Sequence, residues 1–167
     1  MRQFPQGGII AEDLGIITDD VRAVMQKFGF PGMKVLLFAF NGDPHNPYLP
    51  HSYNTNSLVY TGTHDNNTIR GWFEADATDQ EKENCARYLN HPIFPDKIHW
   101  DFITMAMMST ADIAIIPLQD VLGLSETARM NIPGTKKNNW QWRFSFDDIS
   151  SSNSENLRDL TQKSSRG

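Results

Sequence analysis

Residues 57–67 read Ser-Leu-Val-Tyr-Thr-Gly-Thr-His-Asp-Asn-Asn. The segment begins with apolar, β-prone residues and becomes polar at the Thr-Gly-Thr step. Parallel α/β folds place their active sites where a buried strand stops and presents ionisable side chains at its carboxyl end. Residues 9–15, Ile-Ile-Ala-Glu-Asp-Leu-Gly, have the same design. The ionisable residues at these two predicted strand ends are Glu12, Asp13, His64 and Asp65.

Apolar segments alternate with helical patterns along most of the chain. The predicted strands are residues 8–11, 33–40, 57–65 and 112–118. The predicted helices are residues 19–28, 67–74, 79–89 and 96–109. Strands that alternate with helices form a parallel sheet with right-handed crossovers, so the sequence predicts an α/β fold. Residues 140–144, Trp-Gln-Trp-Arg-Phe, are interpreted as a further, aromatic strand-like segment.

The composition divides the chain into a domain and a tail. Residues 1–149 contain every predicted strand and helix named above and form one domain in this interpretation. Residues 150–167 are dominated by serine, asparagine and charged residues. Such a segment has little apolar surface to offset the entropy lost on ordering. We expect a polar, flexible tail with at most a short helix near residues 157–160.

Composition and charge exclude several classes of protein. The net charge is −5, from 15 basic and 20 acidic residues, which argues against nucleic acid as the main partner. The longest strand-type apolar run, residues 35–40, is far too short to cross a bilayer, and no signal-peptide pattern opens the sequence. The single cysteine, Cys85, excludes an internal disulfide and fits a reducing compartment. We therefore expect a cytoplasmic location and no membrane partner.

Carboxylates at the ends of different strands suit glycosyl transfer. In that chemistry one acid protonates the leaving oxygen, and others stabilise the positive charge of the transition state. The alternative is that Glu12, Asp13 and Asp65 only cap helices and form turns. His64 also has two interpretations, because it either donates a hydrogen bond to a substrate hydroxyl or is a core histidine with a satisfied partner.

Other ligand-binding motifs receive less support from the sequence. A metal site built from His45, His51, His64 and a carboxylate lacks the HxxxH or HxH spacing that would favour it. No glycine-rich phosphate loop and no nucleophile elbow occurs. Cys85 has no histidine nearby in the sequence that could activate it.

Aromatic residues offer a second indication of a sugar site. Trp140 and Trp142 would share one face of a strand, and aromatic faces are common platforms for sugars. Ordinary core packing is the alternative for both tryptophans. Tyr48 and Tyr53 lie in the polar loop 41–56, where they either stack on a ligand or pin the loop.

Several blocks of the sequence closely resemble the amylomaltases. These are the 4-α-glucanotransferases, or disproportionating enzymes, of glycoside hydrolase family 77. The blocks follow one another in the family's order between residues 9 and 144, so the resemblance covers most of the chain. They are residues 11–15 AEDLG, 31–36 PGMKVL, 62–68 GTHDNNT, 117–123 PLQDVLG, 128–135 ARMNIPGT and 139–143 NWQWR.

The resemblance implies that the fold is the second half of a (β/α)8 barrel. The strands ending at Glu12, Phe40, Asp65 and Asp120 would be strands five to eight. The family's catalytic nucleophile is an aspartate at the end of strand four, and no residue of this chain matches it. An isolated half-barrel also exposes two sheet edges and an apolar interior. We therefore expect the chain to be inactive by itself and to need a partner half.

The resemblance also assigns roles to residues at the strand ends and in one loop. Glu12 is the general acid/base, Asp65 stabilises the transition state, and His64 holds hydroxyls of the sugar at the cleavage point. The loop 131–134 lines the acceptor side of the groove. The residues of this loop implied to bind substrate are Asn131, Pro133 and Gly134.

The activity implied by the resemblance is the transfer of α-1,4-glucan segments between maltodextrins. This retaining double displacement needs no metal and no organic cofactor. The expected partners are a maltodextrin or starch-type glucan and the N-terminal half of the barrel. Two alternatives stay open, namely a hydrolytic α-amylase-type fragment and a non-catalytic glucan-binding half-barrel. A plastid would replace the cytoplasm if the parent is a plant or algal protein.

Overall fold

Three parallel strands and six helices make up the part of the chain that the structure describes. The structure is a computed structural model that describes residues 8–166. The strands are β1 (Gly32–Val35), β2 (Ser57–Tyr60) and β3 (Ile113–Ile115). The helices are α1 (Asp19–Phe28), α2 (Ile69–Gly71), α3 (Asp79–Leu89), α4 (Ile98–Met108), α5 (Leu118–Val121) and α6 (Ser151–Lys163). Short 3₁₀ turns occur in the connections, and α2 continues into a π-helical turn, Trp72–Asp76.

The sheet has the order β1-β2-β3, and both strand pairs are parallel. Val35 lies opposite Tyr60, and Tyr60 lies opposite Ile115. The connection from β2 to β3 contains α2, α3 and α4. The central strand β2 is buried along most of its length, as its continuous apolar pattern predicts for a strand covered on both faces. The predicted α/β fold with a parallel sheet is confirmed.

The predicted strand at residues 8–11 is wrong. The segment makes one backbone hydrogen bond to the start of β1, from the Ala11 N–H to the Pro31 carbonyl at 3.0 Å. A ladder would need the next donor on β1, the Met33 N–H, but this group donates to the Asp13 carboxylate at 2.6 Å. A side chain thus takes the place of a backbone acceptor, and regular pairing stops.

The three other predicted strands are shorter than expected, and the one predicted at residues 57–65 ends at Tyr60. After β1 the chain turns into the 3₁₀ helix Leu36–Phe38, whose carbonyls are partly satisfied by Asn46, with Nδ2 donating to the Phe38 carbonyl at 2.7 Å. The strand predicted to reach residue 40 therefore ends early. Strand β3 ends just before Pro117, which has no N–H to continue a ladder and opens α5 instead.

The aromatic segment 140–144 is not a strand. Trp140 has a φ of 62° and Asn138 a φ of 63°, both in the left-handed region. An extended chain cannot pass through two such residues so close together, so the segment forms an irregular loop. The expectation that Trp140 and Trp142 share one strand face is wrong for this reason.

The predicted helices agree better with the structure. Helices α1 and α3 have the predicted bounds, and α4 is shorter by two residues at its start and one at its end. Thr78 and Glu81 form a reciprocal capping box at the start of α3. Gly29 ends α1 with a φ of 68°, the left-handed conformation that glycine adopts at low cost. No helix within residues 8–166 is both long and apolar enough to span a bilayer.

The main core lies between the sheet and the helices that follow β2. Val35 and Val59 of the sheet are fully buried together with Phe102 of α4. Cys85 of α3 is buried in the same core, and burial raises the pKa of its thiol to about 12. This thiol is therefore protonated and unreactive near neutral pH.

Helix α6 occupies most of the segment that the sequence describes as a tail. The sequence predicts at most a short helix near residues 157–160, whereas the helix runs over the thirteen residues of Ser151–Lys163. Leu157 and Leu160 pack against a second apolar cluster, formed by Ile103, Met107 and Val121. Three or four turns of helix form here because the tail has an apolar face to bury.

Candidate active site

Residues 61–68, called the β2 loop below, connect β2 to α2. Asp120 of α5 lies buried beneath this loop. Its carboxylate accepts hydrogen bonds from the Thr61 hydroxyl at 2.6 Å and from the Ile69 N–H at 2.8 Å. One buried carboxylate therefore holds the chain on both sides of the loop.

The tip of the β2 loop presents His64 and Asp65 to solvent. The Asn66 Oδ1 accepts hydrogen bonds from the Thr63 N–H and the Thr63 hydroxyl, both at 2.9 Å, which closes a tight local turn. The side chains of His64 and Asp65 are 58% and 50% exposed, and His64 Nε2 lies 3.4 Å from Asp65 Oδ1. The alternative that His64 is a core histidine is wrong.

An open groove of about 920 Å³ runs along the carboxyl ends of the strands. Glu12, His64 and Asp65 all line it. Tyr60 lines the groove as well, and burial, followed by the charge of Glu12, raises the pKa of its phenol. Asp13 is directed away, because its carboxylate accepts the Met33 N–H of β1. The structure thus brings three of the four predicted ionisable residues together and gives the fourth a backbone partner.

Asp65 is connected to the segment that follows α5. Asn131 Nδ2 donates to Asp65 Oδ1 at 2.6 Å, and the Asn131 N–H donates to the His64 carbonyl at 3.1 Å. The Arg129 guanidinium donates from Nη2 to the Asp65 carbonyl at 2.7 Å and from Nε to the Asn131 carbonyl at 2.8 Å. The sequence analysis missed Arg129 as a site residue. Its place in the ARMN block, two residues before Asn131, was the available signal.

The loop 131–134 turns sharply at Pro133 and Gly134. The Thr135 N–H donates to the Ile132 carbonyl at 3.2 Å, and Gly134 has a φ of 80°. Proline followed by a glycine at positive φ is the pattern of a type II turn. Asn139 closes the base of this loop, because its Oδ1 accepts the Ile132 N–H at 3.0 Å. The turn leaves Pro133 and Gly134 exposed, while Asn131 faces the β2 loop.

Trp140 and Trp142 lie in different surroundings. The Trp140 ring lies 5.1 Å from the His64 ring, and the backbone N–H of Trp140 donates to the Met130 carbonyl at 2.7 Å. It also lines a cavity of about 180 Å³ beside the β2 loop. Trp142 instead stacks on Phe144, with 5.9 Å between ring centroids. Of the two tryptophans, Trp140 packs against the predicted site residue His64, whereas Trp142 packs against Phe144.

The polar loop 41–56 contributes one tyrosine to the groove. Tyr48 lines the groove, whereas Tyr53 is buried and donates from its hydroxyl to the Tyr48 carbonyl at 2.6 Å. Tyr53 therefore pins the loop, and Tyr48 remains open to a ligand. Within residues 8–166 no three His, Cys, Asp or Glu side chains lie close enough together to hold a metal ion. The three-histidine site considered in the sequence analysis does not form there.

A parallel α/β sheet with ionisable side chains gathered in a groove at its carboxyl edge defines the class of α/β enzymes that bind their ligands at strand ends. Within this class, a family model described as 4-alpha-glucanotransferase, glycoside hydrolase family 77, matches residues 2–149. The chain belongs to this family.

Curated relatives from plants and bacteria support the family assignment. The chloroplastic/amyloplastic 4-alpha-glucanotransferase of Arabidopsis thaliana is 51% identical over 156 residues, which is 91% of this chain and 27% of the relative. The 4-alpha-glucanotransferase of Thermus thermophilus is 42% identical over 169 residues, 98% of this chain and 34% of the relative. The chain spans about a third or less of the length of these two relatives.

Solved structures show the same fold. Amylomaltase from Streptococcus agalactiae in complex with acarbose superimposes with a TM-score of 0.89 at 34% identity, over 95% of this chain and 32% of that one. Amylomaltase from Corynebacterium glutamicum superimposes with a TM-score of 0.64 over 95% of this chain and 28% of that one. Its sequence identity of 18% supports the likeness of fold alone.

Proposed function

We propose that this chain supplies the acid/base and the transition-state stabiliser of a 4-α-glucanotransferase active site, in the C-terminal half of a (β/α)8 barrel. The observation that carries the proposal is that Glu12, from the irregular segment before α1, and Asp65, from the β2 loop, line one groove together with His64. Carboxylates arranged around one cavity are what glycosyl transfer requires. The groove volume of about 920 Å³ suits several linked sugars and not a single small ion.

Glu12 takes the role of general acid/base in this proposal. It protonates the leaving oxygen of an α-1,4 bond, and it later removes the proton from the 4-hydroxyl of the acceptor sugar. Its side chain is exposed on the wall of the groove, so it can reach a bound glucan without rearrangement of the core.

Asp65 and His64 act on the sugar at the cleavage point. The hydrogen bond from Asn131 holds Asp65 Oδ1 and orients the carboxylate, so that Oδ2 faces substrate hydroxyls and the positive charge that develops in the transition state. His64 donates a hydrogen bond to a hydroxyl of the same sugar. Its ring is exposed, and Trp140 packs against one side of it.

The substrate we propose is a maltodextrin or a starch-type α-1,4-glucan. The acarbose complex of the Streptococcus agalactiae amylomaltase supports an oligosaccharide ligand. The acceptor sugar binds along the loop 131–134, with Pro133 and Gly134 at its exposed turn. Water competes with this acceptor, so contacts on that loop favour transfer over hydrolysis.

The nucleophile of the double displacement comes from the N-terminal half of the barrel in this proposal. The chain covers 34% of the Thermus thermophilus relative, which leaves room for that half. We expect the isolated chain to be inactive, because no covalent intermediate forms without the nucleophile. We propose the cytoplasm as the location, with the plastid as the alternative that the chloroplastic relatives favour.

The test uses a hybrid enzyme in which this chain replaces the matching segment of the Thermus thermophilus relative. Incubation with maltotriose should give glucose and longer maltodextrins, and the isolated chain should give neither. Glu12→Gln in the hybrid should lower kcat by about a thousandfold, since proton transfer is lost while the shape of the side chain is kept. Glu83→Gln, an exposed acid on α3, is the matched control and should leave kcat unchanged.

Each other outcome favours a different function. Shorter sugars without longer products would favour the hydrolytic α-amylase-type alternative. A folded hybrid that binds maltodextrin and forms no product would favour the non-catalytic glucan-binding half-barrel. Activity of the isolated chain would contradict the need for the second half.

A further inference from the structure

Arg129 joins two loops that the proposed function treats as separate parts of the site. Its guanidinium donates from Nη2 to the Asp65 carbonyl at 2.7 Å, on the β2 loop. The same planar group donates from Nε to the Asn131 carbonyl at 2.8 Å, on the acceptor-side loop 131–134. Because the guanidinium is rigid, these two bonds fix the distance between the two backbone segments.

Two further hydrogen bonds connect the same loops. The Asn131 N–H donates to the His64 carbonyl at 3.1 Å, and Asn131 Nδ2 donates to Asp65 Oδ1 at 2.6 Å. The second of these bonds ends on the carboxylate to which we assign transition-state stabilisation. A displacement of the loop 131–134 therefore moves the acceptor side and the Asp65 carboxylate together.

Arg129 is itself held by the 3₁₀ turn Glu126–Ala128, which is tied to α5. The Arg129 N–H donates to the Glu126 carbonyl at 2.9 Å, and Gln119 Nε2 donates to the Ala128 carbonyl at 3.3 Å. Gln119 precedes Asp120, whose buried carboxylate holds the β2 loop on both sides. One short helix thus supports Arg129 and the β2 loop, so the guanidinium is presented from a fixed base.

We propose that Arg129 is a positioning residue that couples the acceptor-side loop to the Asp65 carboxylate and so favours transfer over hydrolysis. An acceptor sugar bound on the loop 131–134 restrains the position of Asn131. Arg129 passes this restraint to the β2 loop. Water makes no contact with this loop, so hydrolysis gains less from the coupling than transfer does. The proposal rests on the proposed function, because it needs Asp65 and the loop 131–134 in the roles given above.

The first measurement is amide hydrogen exchange on the hybrid enzyme and its Arg129→Lys variant. Lysine keeps the positive charge but is a point donor that cannot span two carbonyls. Exchange should become about tenfold faster in both segments 63–66 and 130–135, because the guanidinium bridge that restrains each segment against the other is lost. Exchange in α3 should stay the same.

The matched control is Arg166→Lys. The Arg166 guanidinium also binds only backbone carbonyls, at the end of α4 and in the connection to β3, namely those of Met107, Ser109, Ala111 and Asp112. This variant loses the same kind of contact away from the groove. It should lower Tm as Arg129→Lys does and leave exchange in the two site loops unchanged.

The second measurement separates positioning from stability. In Arg129→Lys, kcat/KM for transfer between maltotriose molecules should fall by about a hundredfold, the usual cost of a small misplacement of reacting groups. The kcat/KM for hydrolysis of the same donor should fall by only about tenfold, so the ratio of transfer to hydrolysis decreases. Arg166→Lys should keep the ratio of the unmodified hybrid.

The outcomes distinguish this proposal from the proposed function. Unchanged exchange in the two loops, or an equal fall in transfer and hydrolysis, would overturn the coupling by Arg129. An unmodified hybrid without any glucan transfer would instead overturn the proposed function. Amide hydrogen exchange does not require activity. It therefore tests whether Arg129 holds the two loops together even if the hybrid transfers no glucan.

Discussion

Asp120 has a different environment from the other acids that follow predicted strands. The sequence places Glu12, Asp65 and Asp120 alike, each after an apolar segment. The structure leaves the first two in the groove and buries Asp120 under the β2 loop. Burial raises the pKa of this carboxyl to about 6, against the opposing effect of the hydrogen bonds from Thr61 and Ile69. Asp120 therefore serves as an internal anchor whose charge state depends on pH.

We expect Asp120 to lower the free energy of unfolding as pH rises from about 4 to about 6. The folded-state pKa of about 6 lies above the ordinary value of 3.8, so the folded chain binds more protons than the unfolded chain in this window. The loss on full ionisation is on the order of 3 kcal/mol. Asp120→Asn should flatten this fall, since its amide oxygen can accept the Ile69 N–H and its amide nitrogen can donate to the Thr61 hydroxyl.

Urea unfolding across this pH range measures the effect of Asp120. Glu83→Gln on α3 is the control and should retain the slope of the unchanged chain. If Asp120→Asn also retains that slope, another group must be responsible. Asp101 is then the next residue to replace, because burial raises the pKa of its carboxyl too.

Helix α6 is the element whose stability depends most visibly on tertiary contacts. Its start is capped by Ser150 and Asn153 in a reciprocal capping box. Asn153 Nδ2 also donates to the Val121 carbonyl at 2.9 Å, which ties α6 to α5. The following Arg166 donates to carbonyls at the end of α4. Without these contacts a serine-rich helix of this length would be marginal in water.

Leu160→Ala should lower the free energy of unfolding by about 2 kcal/mol, the low end for a leucine that is only partly buried. The side chain packs against the apolar cluster that contains Ile103 and Met107. Arg158→Ala, on an exposed position of the same helix, should change stability by no more than about 0.5 kcal/mol. Denaturant unfolding monitored by circular dichroism compares the two. Equal free energies of unfolding for the two variants would mean that α6 is not docked in solution.

Helices were easier to predict than strands for a physical reason. A helix such as α3 has its hydrogen bonds and its cap within one stretch of sequence, so periodicity and Thr78 were sufficient. A strand needs a partner that the local sequence does not specify. Residues 8–11 have a strand-like sequence, yet their ladder stops because the Asp13 carboxylate takes the Met33 N–H.

Neither edge of the described sheet has a further strand beside it, although Ala11 and Asp13 make hydrogen bonds at the start of β1. Among residues 8–166, β1 and β3 each pair on one side only. Ile113 and Ile115 of β3 are 46% and 38% exposed, and Ile115 lies on the wall of the groove. Unpaired edges with apolar side chains readily pair with another chain. We expect the N-terminal half of the barrel to cover this surface.

The isolated chain should self-associate through these edges, and the N-terminal part of the Thermus thermophilus relative should replace this contact with an equimolar complex. Ile113→Lys places a charge on the edge and should weaken self-association by about tenfold. Phe146→Lys, on a 3₁₀ turn outside the sheet, is the control and should have little effect. Sedimentation velocity measures both. A monodisperse monomer at high concentration would contradict this prediction.

The alternation of strands and helices from β1 to β3, the bounds of α1 and α3, and the Thr78 cap could be determined from the sequence alone, because these features depend on neighbouring residues. The resemblance to the amylomaltases rests on blocks of the same local kind. Only the tertiary structure showed that Arg129 contacts the Asp65 carbonyl, that Asp120 is buried under the β2 loop, and that Trp140 lies against His64. These contacts join residues far apart in the chain, and they exist only once strand pairing and core packing have brought the segments together.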